Sequence, residues 1–158
     1  MQNQSRIVVE NVAPQINGGN IFIKRVVDEI VPVTADVLVD GHDVIQASLL
    51  YKHESEKKWS ETRMNPTFND EFSASFQTIK QGFYSYKVEG WVDYALNWQH
   101  GIQRKIDDYQ HVNSELLEGA VLLENMLTNV NEDDKNYLLH LIFIFKNNRS
   151  IPKGIRNK

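Results

Sequence analysis

The chain has 158 residues, with 17 Lys and Arg against 21 Asp and Glu, giving a formal net charge of −4. That balance argues against a general affinity for nucleic acid or anionic membrane, both of which select basic surfaces. It contains no cysteine, which excludes a disulfide framework and thiolate metal sites, and no apolar run reaches the ~18 residues of a membrane span.

The length suits one domain, or one domain with an appendage. Met1 to Ser5 is too polar and too short for a signal peptide, so a soluble cytoplasmic protein is the expectation. Without an export signal, the sequons Asn3-Gln4-Ser5 and Asn148-Arg149-Ser150 carry no weight.

In chain order, the first half reads as strands and turns. Ile7 to Glu10 predicts a short strand, Asn17-Gly18-Gly19-Asn20 a turn, and Ile21 to Arg25 a second short strand. The clearest signal follows. Val31, Val33, Ala35, Val37 and Val39 point one way while Pro32, Thr34, Asp36 and Asp40 point the other, as a half-buried strand requires, and only Leu38 breaks the pattern. Asp40-Gly41-His42-Asp43 predicts a tight hairpin turn, after which Ala47, Leu49 and Tyr51 resume the inward period. A charged loop, His53 to Lys58, leads to Trp59, Thr62 and Met64; then Phe72, Ala74 and Phe76 alternate, and Tyr84, Tyr86 and Val88 alternate again after Gly82.

The second half changes period. Trp98, Ile102, Ile106 and Tyr109 recur at helical spacing within Leu96 to Tyr109. A second helix is expected to begin at Asn113 or Ser114, both suitable caps, with Leu116, Ala120, Leu123 and Leu127 along one stripe. Asn131 caps a third, whose acidic first turn is Glu132, Asp133 and Asp134 and whose apolar face is Leu138, Leu141, Ile142 and Phe145. The short link from Thr128 to Asn131 permits an antiparallel helical hairpin. Lys146, Arg149, Lys153, Arg156 and Lys158 make the ending basic, and its expected state is a solvated, frayed end.

The fold expected from this pattern is mainly β with α. An immunoglobulin-like antiparallel β-sandwich spans residues 6–94, a helical segment spans 95–146, and a basic tail spans 147–158.

Three long motifs carry a family resemblance. IVVENVAPQINGGNIFIKRVV (Ile7 to Val27), TADVLVDGHDVIQA (Thr34 to Ala47) and VEGWVDYALNWQ (Val88 to Gln99) resemble, in the right order, the N-terminal region of the alpha-1,4-glucan:maltose-1-phosphate maltosyltransferases of GlgE type, in the alpha-amylase superfamily. The similarity runs from about Arg6 to about Glu124. It implies a fragment of a much larger transferase, which moves maltosyl units from α-maltose 1-phosphate to α-1,4-glucan ends by a retaining double displacement. An Asp nucleophile and a Glu acid/base in a catalytic barrel would carry that chemistry, without an obligatory metal or other cofactor. Such a barrel needs about 250 residues, so it lies outside this chain. The resemblance further implies that the helical segment opens a small domain that helps form a homodimer; the apolar face of the third helix, Leu138, Leu141, Ile142 and Phe145, needs a cover and is the candidate subunit interface.

The residues themselves offer no catalytic set. Glycoside chemistry needs two opposed carboxyl groups, yet Asp40 and Asp43 flank a turn, Glu54 and Glu56 sit in a polar loop, and Glu132 to Asp134 suit a helix start. His42, His53, His100, His111 and His140 lack metal-ligand spacing. Nucleophile-elbow, phosphate-loop and dinucleotide patterns are missing. The aromatics allow one alternative, an α-glucan-binding module with exposed tryptophans as a stacking platform. Trp91 is its best candidate, because the alternation opposes it to Tyr84, Tyr86 and Val88. The expected role is therefore structural, beside the parent enzyme's own barrel; a free-standing interaction protein is a further alternative.

Overall fold

The computed structural model describes residues 7–147. The basic tail beyond Asn147 and both sequons lie outside the described residues, as does Arg6 at the start of the expected first domain. The chain divides into two compact units between Asp93 and Tyr94.

The first unit is organised by the alternating run. Val31, Val33, Ala35 and Val37 are buried on the inner face of β2 (Ile30–Val39), while Leu38 points outward. Strand β2 is the centre of one antiparallel sheet. On one side it pairs with β1 (Ile7–Ala13), on the other with β6 (Glu71–Gln77), and β6 in turn carries the two-residue β5 (Asn65–Pro66). The second sheet centres on β3 (Ile45–His53), flanked by β4 (Ser60–Arg63) and β7 (Tyr84–Val92).

Both sheets contribute to one core. Val31, Val33, Val37, Phe72 and Phe76 from the first meet Ala47 and Leu49 from the second, with Met64 between strands β4 and β5 and Tyr51, Tyr84, Tyr86 and Val88 packed around them. Each fully buried Val or Leu contributes about 1.5–3 kcal/mol relative to an exposed position, so Val33, Val37 and Leu49 dominate the aliphatic centre. Stacked rings complete it, with Phe76 and Tyr51 centroids 4.9 Å apart.

The expected tight hairpin at Asp40 to Asp43 is corrected. Strands β2 and β3 do not pair; they belong to different sheets, and the connection carries the chain from one to the other. Gly41, at φ 112°, still supplies the left-handed turn. The physical reason is that the two apolar faces can meet across a core as well as side by side, and alternation alone does not distinguish these arrangements.

Two neighbouring expectations also change. Strand β1 runs on to Ala13 through an irregularity after Glu10, where Asn11 takes a φ of 49° and donates from Nδ2 to Asp36 Oδ2 at 2.6 Å. The strand expected over Ile21 to Arg25 does not form: only Ile21 bridges, to Ile16, and Phe22 stays 80% exposed, its ring 4.9 Å from that of Phe83.

The second unit contains α1 (Tyr94–Asp107), α2 (Asn113–Met126) and α3 (Glu132–Asn147). Ile102, Val112 and Leu116 form its core, with Trp98 and Phe145 against them. Tyr109, expected on the buried stripe of α1, lies past its end at φ 56° and is 92% exposed. The cap position of α2 is Val112 rather than Asn113 or Ser114, and no side chain caps it; burying Val112 takes precedence over a polar cap. At α3 the expected cap forms, Asn131 Oδ1 accepting the Asp134 amide at 2.8 Å. Lys146, in the last turn of α3, pairs with Glu124 in the last turn of α2.

Candidate functional site

The outward face of the β4-β3-β7 sheet is where the tryptophans gather. Inward positions of β7 are Tyr84, Tyr86 and Val88, packed on the core, so period two turns Lys87, Glu89 and Trp91 outward. Register opposes Trp91 to Gln46, Glu89 to Ser48 and Lys87 to Leu50, and β4 sets Arg63 opposite Ser48. The outcome is two capped rings. The Arg63 guanidinium lies 4.7 Å from the Trp91 ring centroid, and the Lys52 and Lys87 ammonium groups lie 4.8 and 5.3 Å from that of Trp59. Between them the buried Ser48 hydroxyl donates to Glu61 Oε1 at 2.7 Å, and Lys87 pairs with Glu89.

Trp91, the sequence candidate for glucan contact, is thus on the outward face, half-buried beneath Arg63. Trp59 joins it there, 38% exposed. At that exposure Trp59 does not anchor the core, although its place between strands would allow it. Sequence reasoning missed the cations. Trp59, just before β4, shares one parity with Glu61 and Arg63 on it, which was the available signal.

The helical unit divides the candidate interface residues. Ile142 is buried, Phe145 packs on Trp98 with ring centroids 5.4 Å apart, and Leu138 and Leu141 are half-buried. The large apolar or aromatic side chains exposed on α2 and α3 are instead Leu117, Val121 and Met126 on α2 and Tyr137, Leu139 and Phe143 on α3, the last 65% exposed. Trp98 is fixed from two sides: its indole Nε1–H donates to the Glu115 carbonyl, and a Cβ on Gly119 would fall inside contact distance of its ring. Lys105 pairs with the Glu115 carboxylate and holds it below the ordinary carboxylate range, helped by the backbone and Ser114 hydrogen bonds.

Two of the carboxylates weighed for chemistry, Glu54 and Glu56, serve local structure. Glu54 accepts the Phe83 amide at 3.1 Å, and Glu56 pairs with Lys80 at 3.5 Å. His53 is buried, its ring bonded to Ser55 Oγ at 2.8 Å and the Gln81 carbonyl at 3.2 Å; the other four histidines are exposed. Among the described residues no group of three or more His, Asp or Glu is placed to hold a metal ion, and no helix is long and apolar enough to cross a membrane.

Comparison with known proteins agrees in one direction. A profile of the family described as alpha-1,4-glucan:maltose-1-phosphate maltosyltransferase, domain N/S, matches residues 5–149. The alpha-1,4-glucan:maltose-1-phosphate maltosyltransferase of Salinibacter ruber is 39% identical over 146 residues, 90% of this chain and 22% of the relative. Its counterpart in Chlorobaculum tepidum is 37% identical over 137 residues, 87% of this chain and 20% of the relative. That of Mycobacterium tuberculosis is 29% identical over 152 residues, 79% and 22% respectively. The chain spans about one fifth of the length of these relatives. With most of its residues matched, the chain belongs to the alpha-1,4-glucan:maltose-1-phosphate maltosyltransferase domain N/S family and corresponds to the N-terminal region of such a protein.

Proposed function

We propose that this chain is the scaffolding region of a cytoplasmic maltosyltransferase that elongates α-1,4-glucans from maltose 1-phosphate. Its strand unit is an immunoglobulin-like β-sandwich seated beside the parent's catalytic barrel, and its helical unit supplies contacts in a homodimer. The observation that carries this reading is the proportion matched, nine tenths of this chain against about a fifth of the Salinibacter ruber maltosyltransferase. The local employment of Glu54 and Glu56 supports it. Subunit contact is supported by the exposed Leu117, Val121, Leu139 and Phe143, an apolar surface of the kind that marks interfaces. Incubating the chain with maltose 1-phosphate and a maltooligosaccharide tests the reading: no phosphate is released above the buffer rate. Release that survives repurification overturns it.

The α-glucan-binding alternative has one observation in its favour, the shared outward face of Trp59 and Trp91. Against it, a sugar stacking on either capped ring face has to displace a cation already held there. Titration with soluble glucan, followed by tryptophan fluorescence, separates the two readings.

A further inference from the structure

The connection between β1 and β2 opens on a single 3-10 turn, Asn17–Gly19. Nowhere else in the sequence does glycine directly follow asparagine. Asn17 lies in the left-handed region at φ 50°, which asparagine tolerates better than most residues, and Gly18 and Gly19 follow at φ 64° and 83°. All three residues are exposed.

The bonds that close the turn leave two of its groups unheld. The Gly19 amide donates to the Ile16 carbonyl at 3.1 Å, and Asn20 donates to the Asn17 carbonyl from its backbone amide at 3.2 Å and from Nδ2 at 2.9 Å. Among the described residues no hydrogen bond holds the Asn17 side-chain amide or the Gly18 N–H. A Cβ added at Gly18 or Gly19 would meet nothing within 4 Å, so no packed neighbour stops the peptide between Asn17 and Gly18 from rotating. Other asparagines are engaged. Asn11 Nδ2 bonds Asp36, and Asn131 Oδ1 holds the Asp134 amide; each is also followed by a residue, Val12 or Glu132, whose side chain crowds the neighbouring amide.

We propose that Asn17 is a site of spontaneous covalent modification, cyclising onto Gly18 to a succinimide that opens to aspartate and isoaspartate. The Gly18 nitrogen, having given its proton to hydroxide, attacks Asn17 Cγ. The N–Cγ bond forms, the Cγ–Nδ2 bond breaks, and Nδ2 takes up a proton and leaves as ammonia. Water then opens the ring at either carbonyl carbon. Opening at Cγ restores the ordinary main chain as aspartate, whereas opening at the main-chain carbon leaves the chain running through Cγ as isoaspartate. Each product adds one negative charge to the formal −4. The isoaspartyl form also lengthens the main chain by a methylene inside the turn that Asn20 closes.

Peptide mapping by mass spectrometry tests this on the 158-residue chain incubated over a pH series from neutral to mildly alkaline, with isoaspartate read by an isoaspartyl methyltransferase and labelled S-adenosylmethionine. Asn17 converts before any other asparagine, roughly tenfold faster per pH unit because the deprotonated nitrogen is the nucleophile. Its rate in the native chain lies within roughly tenfold of that in a synthetic peptide of the same turn, an opening cost below about 1.4 kcal/mol, as for mobile loops. Asn17→Gln abolishes the methyl incorporation. A native chain that keeps Asn17 intact while the peptide converts overturns the proposal, because the turn then protects the residue. Earlier conversion at another asparagine overturns it as well, and so does isoaspartate that persists in Asn17→Gln, which would arise elsewhere, as at Asp40-Gly41.

Discussion

Gly101 and Gly119 both occupy helix interiors, and substituting each by alanine should move stability in opposite directions. At Gly101 a new Cβ meets nothing within 4 Å, so Gly101→Ala gains the helix-propensity difference, about 0.8–1 kcal/mol. At Gly119 the same gain is opposed by overlap with Cζ2, Cε2 and Cη2 of Trp98. The indole cannot swing away freely, because Nε1–H is bonded to the Glu115 carbonyl and Phe145 packs on the ring. Forcing a methyl group into a packed site costs about 1–3 kcal/mol, and losing the indole hydrogen bond about 1 more. After subtracting the propensity gain, Gly119→Ala destabilises the helical unit by about 1–3 kcal/mol. Urea denaturation followed by circular dichroism at the helical band measures both variants. If Gly119→Ala stabilises as Gly101→Ala does, the packing account of Trp98 is wrong.

Three further outcomes follow from particular contacts. Trp59→Ala costs about 1 kcal/mol or less, the worth of exposed cation–π contacts, and not the ~3–5 kcal/mol of a core aromatic; a midpoint loss of core size in denaturation would place Trp59 inside. Glu115 sits below its ordinary value near 4.5, chiefly through Lys105, so the stability it contributes is present above that value and is lost as pH falls through the depressed one. Lys105→Met should flatten that acid limb in a pH series of melts, and an unchanged limb would remove Lys105 as the cause. For self-association, Leu139→Asp with Phe143→Asp should shift sedimentation toward monomer while circular dichroism remains native; a wild type monomeric at high micromolar concentration, or a folded variant that associates equally, defeats the helical interface.

The strands were readable wherever one face alone is buried. The period of Val31 to Val37 located the core because solvent on one side of β2 forces alternation. Pairing was less readable: Asp40-Gly41 permits a turn, but the choice between a hairpin and a crossing between sheets depends on partners such as β6, far along the chain. Local reasoning also overvalued Ile21 to Arg25, whose apolar residues have no ladder to join, and the polar cap at Asn113, which gave way to buried Val112. For the candidate surface, parity alone put Trp91 outward. Arg63 above it depended on cross-strand register, which no single segment encodes. On α3 the stripe was legible but its partner was not, so Ile142 and Phe145, which close the unit, were grouped with a face offered to another subunit.

The central claim, that this chain scaffolds a maltosyltransferase without performing the chemistry, is tested most directly by exchange of parts. Residues 5–149 should replace the matched region of the Salinibacter ruber enzyme and leave phosphate release from maltose 1-phosphate dependent on the relative's remaining four fifths. The account predicts transfer by the chimera and none by the chain alone. It is contradicted if the chain alone transfers, or if a folded chimera with its barrel intact does not.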